Sequence, residues 1–101
     1  MVLSNGYTIM IESFKCKETK KVWNKRRSKK FPQNIQQRVL EKMQRIDSAE
    51  KLEDFYFPPS NHFEALTGNR KGQYSIRVNH QWRLCFNFNE NIQHLELVDY
   101  H

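Results

Sequence analysis

The hydrophobic positions of this chain change period partway along it. Ile35, Val39, Met43 and Ile46 recur at spacings of four, four and three, and Leu40 widens the stripe. That pattern lays one apolar face along an amphipathic helix. Pro32 suits its first turn, where the missing N–H costs no hydrogen bond. Upstream, residues 18–30 are helix formers with few apolar groups, chiefly Val22 and Trp23, and they predict a strongly basic first helix. Ile9–Phe14 reads as a short, β-prone first strand. Pro58-Pro59 breaks helical structure and opens a connecting loop.

Beyond that loop the period is two. Tyr74, Ile76 and Val78 alternate with Ser75, Arg77 and Asn79. Trp82, Leu84, Phe86 and Phe88 alternate with Arg83, Cys85 and Asn87, and Leu95 and Leu97 with His94, Glu96 and Val98. Half-buried antiparallel strands give this alternation, with one face on a core and the other open. Asn79-His-Gln and Asn89-Glu-Asn supply turn residues between them. Two helices followed by a meander of strands predict an α+β sandwich, with both helices on one face of a mainly antiparallel sheet. The polar face of the sheet is then the natural functional surface.

A length of 101 residues suffices for a single domain with one modest core. A mean hydropathy of −0.88 and 28% charged residues describe a soluble, cytoplasmic protein without a membrane span. The first ten residues lack a basic leader, a long apolar region and a small-residue cleavage site, so they do not read as a signal peptide. Cys16 and Cys85 lie far apart without C-x-x-C spacing and read as free thiols of a reducing compartment. A net charge of +6 and a pI of about 9.5 favour a polyanionic partner. The run from Lys15 to Lys30 carries a single acid, Glu18. Charge of one sign at that density is a solvated surface by default, but it is favourable mainly beside a polyanion. Charge alone leaves ribosomal RNA, messenger RNA and an acidic protein as candidate partners. Lys25, Arg26, Arg27, Lys29 and Lys30 are candidate contacts to such a polyanion, with RNA backbone favoured, and Arg70, Lys71 and Arg77 join them on the later strands and turns.

Cleavage of RNA by its own 2′-hydroxyl needs a base for that hydroxyl, a cation for the pentacoordinate phosphate and an acid for the departing 5′-oxygen. Glu64, Arg83 and His101 suit these roles in that order. Arg83 lies in the polar phase of its strand, and a guanidinium matches phosphate oxygens bidentately; as an ordinary surface arginine it would serve only a salt bridge. His101 carries its own α-carboxylate nearby, which favours a loaded imidazolium. Tyr100 either stacks on a base or fills the core, and Asp99 either orients His101 or caps the strand surface. The four histidines form no metal constellation, and His94-x-Glu96 offers two ligands where zinc needs more. Gly68-x-x-x-Gly72 lacks the Lys-Ser/Thr of a nucleotide-binding loop. No cofactor is expected.

The run Phe63-Glu-Ala-Leu-Thr-Gly-Asn-Arg-Lys-Gly-Gln-Tyr-Ser-Ile-Arg-Val-Asn79, with Gln81-Trp-Arg-Leu-Cys-Phe86 and Val98-Asp-Tyr-His101, resembles the HigB toxins of bacterial toxin–antitoxin modules, within the RelE/ParE superfamily. The likeness extends from about Met10 to the last residue, which leaves residues 1–9 as an upstream start or an added extension. The resemblance implies a RelE-like sandwich and a ribosome-dependent endoribonuclease that cuts messenger RNA in the decoding site of the 70S ribosome without a metal. It also implies neutralisation by a HigA-like helix-turn-helix antitoxin, through which alone the pair meets operator DNA. Two positions depart from the pattern. Glu64 stands where the HigB pattern often has histidine, although YoeB-like relatives carry glutamate there. Thr67 stands where several relatives have lysine, so Arg70, Lys71 or Arg77 would have to replace a phosphate contact. A ParE-like gyrase inhibitor without nuclease activity, and a non-catalytic RNA-binding module, share enough of these features to remain alternatives.

Overall fold

The apolar stripe read from the sequence folds as α2, Gln33–Asp47, and buries Ile35, Val39, Leu40, Met43 and Ile46. The structure is a computed structural model and describes residues 8–100. A shorter helix, α1 (Lys17–Trp23), precedes α2 and buries Thr19 and Val22. Three 3₁₀ turns follow, at Leu52–Tyr56, Pro59–Asn61 and Gly68–Arg70. The strands are β1 (Glu64–Ala65), β2 (Gln73–Arg77), β3 (Trp82–Asn89) and β4 (Asn91–Asp99). They form an antiparallel meander in the order β1-β2-β3-β4. The core joins the α2 stripe and Val22 to Ile76, Leu84, Phe86, Ile92, Leu95 and Leu97 on one sheet face. Burial of each large aliphatic or aromatic side chain there stabilises the fold by about 1.5–3 kcal/mol. This is the expected α+β arrangement. Among the described residues no helix is long and apolar enough to cross a membrane.

Two sequence expectations change. Residues 9–14 do not form a continuous strand. They run parallel to β4 through isolated bridges, Ile11 to Ile92 and Phe14 to Leu95. The interruption comes from β4, where His94 adopts φ 56° and the pairing with β3 slips by one residue between Cys85 and Asn87. That bulge resets the two-residue alternation, so Ile92 and Leu95 both reach the core. The Ser13 hydroxyl accepts the His94 N–H at 3.0 Å, which satisfies a donor the bulge removes from the ladder.

The predicted helix over residues 18–30 ends at Trp23. Arg26 N–H reaches the Lys21 carbonyl and Lys25 N–H the Val22 carbonyl, with Lys25 left-handed at φ 62°. These paired bonds are a Schellman termination. Lys25, Arg26, Arg27, Lys29 and Lys30 are therefore displayed on a loop, not on a helix. The loop is organised by Ser28, which is fully buried. Its N–H donates to Gln36 Oε1 at 3.1 Å and its hydroxyl to Glu18 Oε1 at 2.7 Å. Its carbonyl accepts from Gln33 and Gln36 amides at 2.9 and 2.8 Å. Gln36 also donates to the Phe31 carbonyl at 2.8 Å. A polar serine buried with every group satisfied competes successfully with helix propensity.

Gln36→Ala removes partners from three backbone groups of this loop at once. It should lower stability by about 1–3 kcal/mol, the cost of stranding buried polar groups, measured by urea denaturation. A midpoint and slope matching the parent would contradict this account of the loop.

Candidate active site

The polar face of the sheet is not open along its length. Ser75 and Cys85, adjacent across β2 and β3, are fully buried in the polar phase. Long side chains roof them. Arg83 Nε donates to Ser75 Oγ at 2.8 Å. Arg70 Nη1 meets Glu96 Oε2 at 3.2 Å and Gln73 Oε1 at 2.9 Å, while Lys15 Nζ lies 3.5 Å from Glu96. Arg70 is thus compensated by a carboxylate, which weakens its expected availability to RNA. Burial pushes the Cys85 thiol above its ordinary pKa.

Arg83 is the centre of the remaining surface. Its side chain keeps only 11% of its exposure, too little for a mobile surface arginine. Nη2 donates to the His62 carbonyl at 2.6 Å and lies 3.9 Å from Glu64 Oε1. The guanidinium carbon stands 5.5 Å from the Tyr100 ring centre, a cation–π contact. Among the described residues these partners leave Nη1 free to donate, so the group is fixed and still has hydrogen bonds to give. Glu64, opposite Ser75 on β1, is half exposed and accessible to a ligand proton. Tyr100 packs on Arg83 and is 40% exposed, so it is not core filling.

Local chain geometry sets this cluster. Asn79 Oδ1 accepts the N–H groups of both Gln81 and Trp82 at 2.8 Å and closes the β2–β3 turn. Gln81 then ties the last strand, with its carbonyl accepting Tyr100 N–H at 2.6 Å and its amide donating to Asp99 Oδ2 at 3.2 Å. Asp99, opposite Trp82, faces this turn. Glu64, Arg83 and Tyr100 are thereby brought together, while His101 lies outside the described residues. Arg77 is directly opposite Arg83, and Lys71 is exposed at the turn before β2. An open groove of about 490 Å3 runs past Glu64, Thr67, Asn69, Arg70 and Tyr100. A larger cavity of about 760 Å3 lies elsewhere, where Glu50, Glu53 and Glu90 outnumber one cation, Lys51, and disfavour phosphate. Among the described residues no group of three or more His, Cys, Asp or Glu gathers to hold a metal ion.

Sequence reasoning missed His62 and Ser75. His62 bonds to both arginines, through its carbonyl to Arg83 and through ring Nε2 to Arg77 Nη1 at 3.2 Å. The signal was present, since residue 62 shares the two-residue phase of Glu64, but a loop histidine beside Pro-Pro carries no pattern of its own. Ser75 was placed correctly in the polar phase, yet a serine alternating with apolar residues does not announce an arginine partner.

A family model described as the RelE-like toxin of the type II toxin–antitoxin system HigB matches residues 12–101. The chain is 37% identical over 76 residues to Toxin HigB-1 of Vibrio cholerae serotype O1, covering 75% of this chain and 80% of that one. It is 32% identical over 93 residues to Endoribonuclease HigB of Proteus vulgaris, covering 91% of this chain and 100% of that one.

The basic segment also sets a thiol contrast. Burial raises the Cys16 pKa, but hydrogen bonds from the Thr19 N–H and hydroxyl, the Glu18 N–H and the charge of Lys30 together outweigh it, leaving Cys16 below the ordinary thiol value. Because the thiolate is the nucleophile, iodoacetamide at neutral pH should label Cys16 first and leave Cys85 protected until unfolding. Peptide mass mapping checks this; labelling of Cys85 at an equal rate would contradict the burial assigned to it.

Proposed function

The chain belongs to the HigB-like toxins of type II toxin–antitoxin systems, and on that premise we propose that it is an endoribonuclease acting on messenger RNA in the ribosome. The observation that carries the reading is Arg83, immobilised by Ser75 and the His62 carbonyl with donors to spare, between a carboxylate and an exposed aromatic ring. In this reading Glu64 takes the 2′-hydroxyl proton as the oxygen attacks the adjacent phosphorus. Arg83 neutralises the charge that builds on the non-bridging oxygens, and His101 gives a proton to the departing 5′-oxygen. The products are a 2′,3′-cyclic phosphate and a free 5′-hydroxyl, and the protons balance without a co-reactant. Tyr100 stacks on a base beside the scissile phosphate, since every base offers a π-face, and Asp99 orients the His101 side. Lys71 contacts flanking phosphate, Arg77 contacts RNA phosphate beside Arg83, and the loop from Lys25 to Lys30 docks on ribosomal RNA backbone. The whole chain acts as one cytoplasmic toxin domain, restrained by a HigA-like antitoxin that alone contacts operator DNA.

Arg83→Ala should reduce single-turnover cleavage by about 10²–10³, as loss of one preorganised charge-stabilising group does, with ribosome binding retained. Equal cleavage by variant and parent in a purified translation system would refute the assignment.

Neutralising Lys25, Arg26, Arg27, Lys29 and Lys30 together should weaken ribosome binding and flatten its dependence on salt, because each lost phosphate contact releases fewer counterions. Turnover of complexes already formed should hardly change. An unaltered salt slope would return the loop to the status of solvated surface.

A further inference from the structure

His62 occupies a strained position between two cations. Its backbone is left-handed, at φ 44° and ψ 47°, a conformation disfavoured for any residue with a Cβ. The surroundings hold it there. Asn61, only 5% exposed, donates through its amide to the Phe55 and Phe57 carbonyls at 3.1 Å each, and its Oδ1 accepts from Lys42 Nζ on α2 at 2.5 Å. A chain of contacts thus runs from the core helix through a buried asparagine to His62, and from there to Arg83 and Arg77.

Arg77 and Arg83 face each other across β2 and β3, where like charges repel. Arg83 has Glu64 nearby and Tyr100 beneath it. Arg77 differs, since among the described residues no carboxylate lies within 4.0 Å of it. Its partner is the His62 ring. A guanidinium has only donors, so Nε2 of His62 must present a lone pair in that contact. A ring nitrogen acting as acceptor restrains a cation without cancelling its charge. Two guanidinium groups held side by side, one of them uncompensated, suit an oxyanion with several acceptor oxygens.

We propose that His62 is a positioning residue for RNA cleavage, its ring holding Arg77 beside Arg83 so that both arginines grip the phosphate undergoing attack. The proposal rests on the ribonuclease reading above and adds a second arginine to the clamp, together with the device that aims it. His62 itself exchanges no proton with the substrate. Its carbonyl fixes Arg83 whatever the side chain, so loss of the ring releases Arg77 alone.

The test is single-turnover cleavage of a ribosome-bound message by parent, H62A, H62Q, R77A, the H62A/R77A double variant and R83A. H62A should lose about 10–100-fold in rate, since small misplacements of a binding group can cost about 10²-fold, with ribosome affinity unchanged. H62Q, whose side-chain carbonyl also accepts from Arg77, should recover most of that loss. R77A should be at least as slow as H62A, and the double variant no slower than R77A, because residues acting as one unit are not additive. H62G removes the ring while relieving the left-handed strain, and it gives the same reading if H62A folds poorly. Parental rates in H62A and H62G, no recovery in H62Q, or a double variant slowed by the product of the single effects would each overturn the proposal. R83A separates the two levels: if it is slow while H62A is not, only the positioning role fails, and if R83A is also unimpaired the ribonuclease site itself is wrong.

Discussion

Burial of the α2 stripe against the sheet is the constraint on which the site depends. Val39, Met43 and Ile46 are fully or almost fully buried, as are Ile76, Leu84 and Phe86 opposite them. Because side chains alternate across a strand, committing Ile76 and Leu84 to the helices commits Ser75, Arg77 and Arg83 to the other face. A slip of one residue would exchange the two sets and bury the arginines, at a cost in desolvated charge that no nearby acid could offset. The hydrophobic register therefore fixes which face carries the guanidinium groups, independently of their polar contacts. Ser75, His62 and Tyr100 then only have to hold what the core has already aimed.

Acids on this basic chain are deployed selectively. Glu96 compensates Lys15 and Arg70 at one end of the polar face, and Glu18 pairs with Lys21 while accepting from Ser28. The Ser28 hydroxyl bond, then the Lys21 ammonium, hold the Glu18 carboxyl below its ordinary pKa, so this tie is present at neutral pH and weakens only as acid protonates the carboxylate. Lys30 also feels the Glu18 charge, but among the described residues no ion pair reaches Arg77, Lys25, Arg26, Arg27 or Lys29. Uncompensated cations are a self-repelling cost in the isolated protein and a gain beside RNA, which accounts for their distribution better than stability does. Arg70, by contrast, has Glu96 as its counter-charge.

How much was legible in the sequence followed the range of the forces involved. The α2 stripe, the alternation in β2 and β3, and the placement of Arg83 on a polar face came from local periodicity, which the core enforces. The bulge at His94 was hidden because it resets the alternation without a glycine to mark it. Termination of α1 at Trp23 was hidden because lysine, not glycine or asparagine, takes the left-handed position at residue 25. Ser28 lies in the middle of a basic run whose composition favours helix, and its partners Gln33 and Gln36 are on the next element. His62 is held through Asn61 by Lys42 on α2, a contact across 19 residues that no local pattern encodes.

If this polar face cuts RNA on the ribosome, the cut ends are directly observable. Primer extension on a defined message in a purified translation system, with and without ribosomes, tests that cleavage most directly. Discrete new 5′ ends should appear on the translated message and disappear when ribosomes are omitted. A message left intact under translation, with DNA supercoiling by gyrase blocked instead, would contradict the ribonuclease reading.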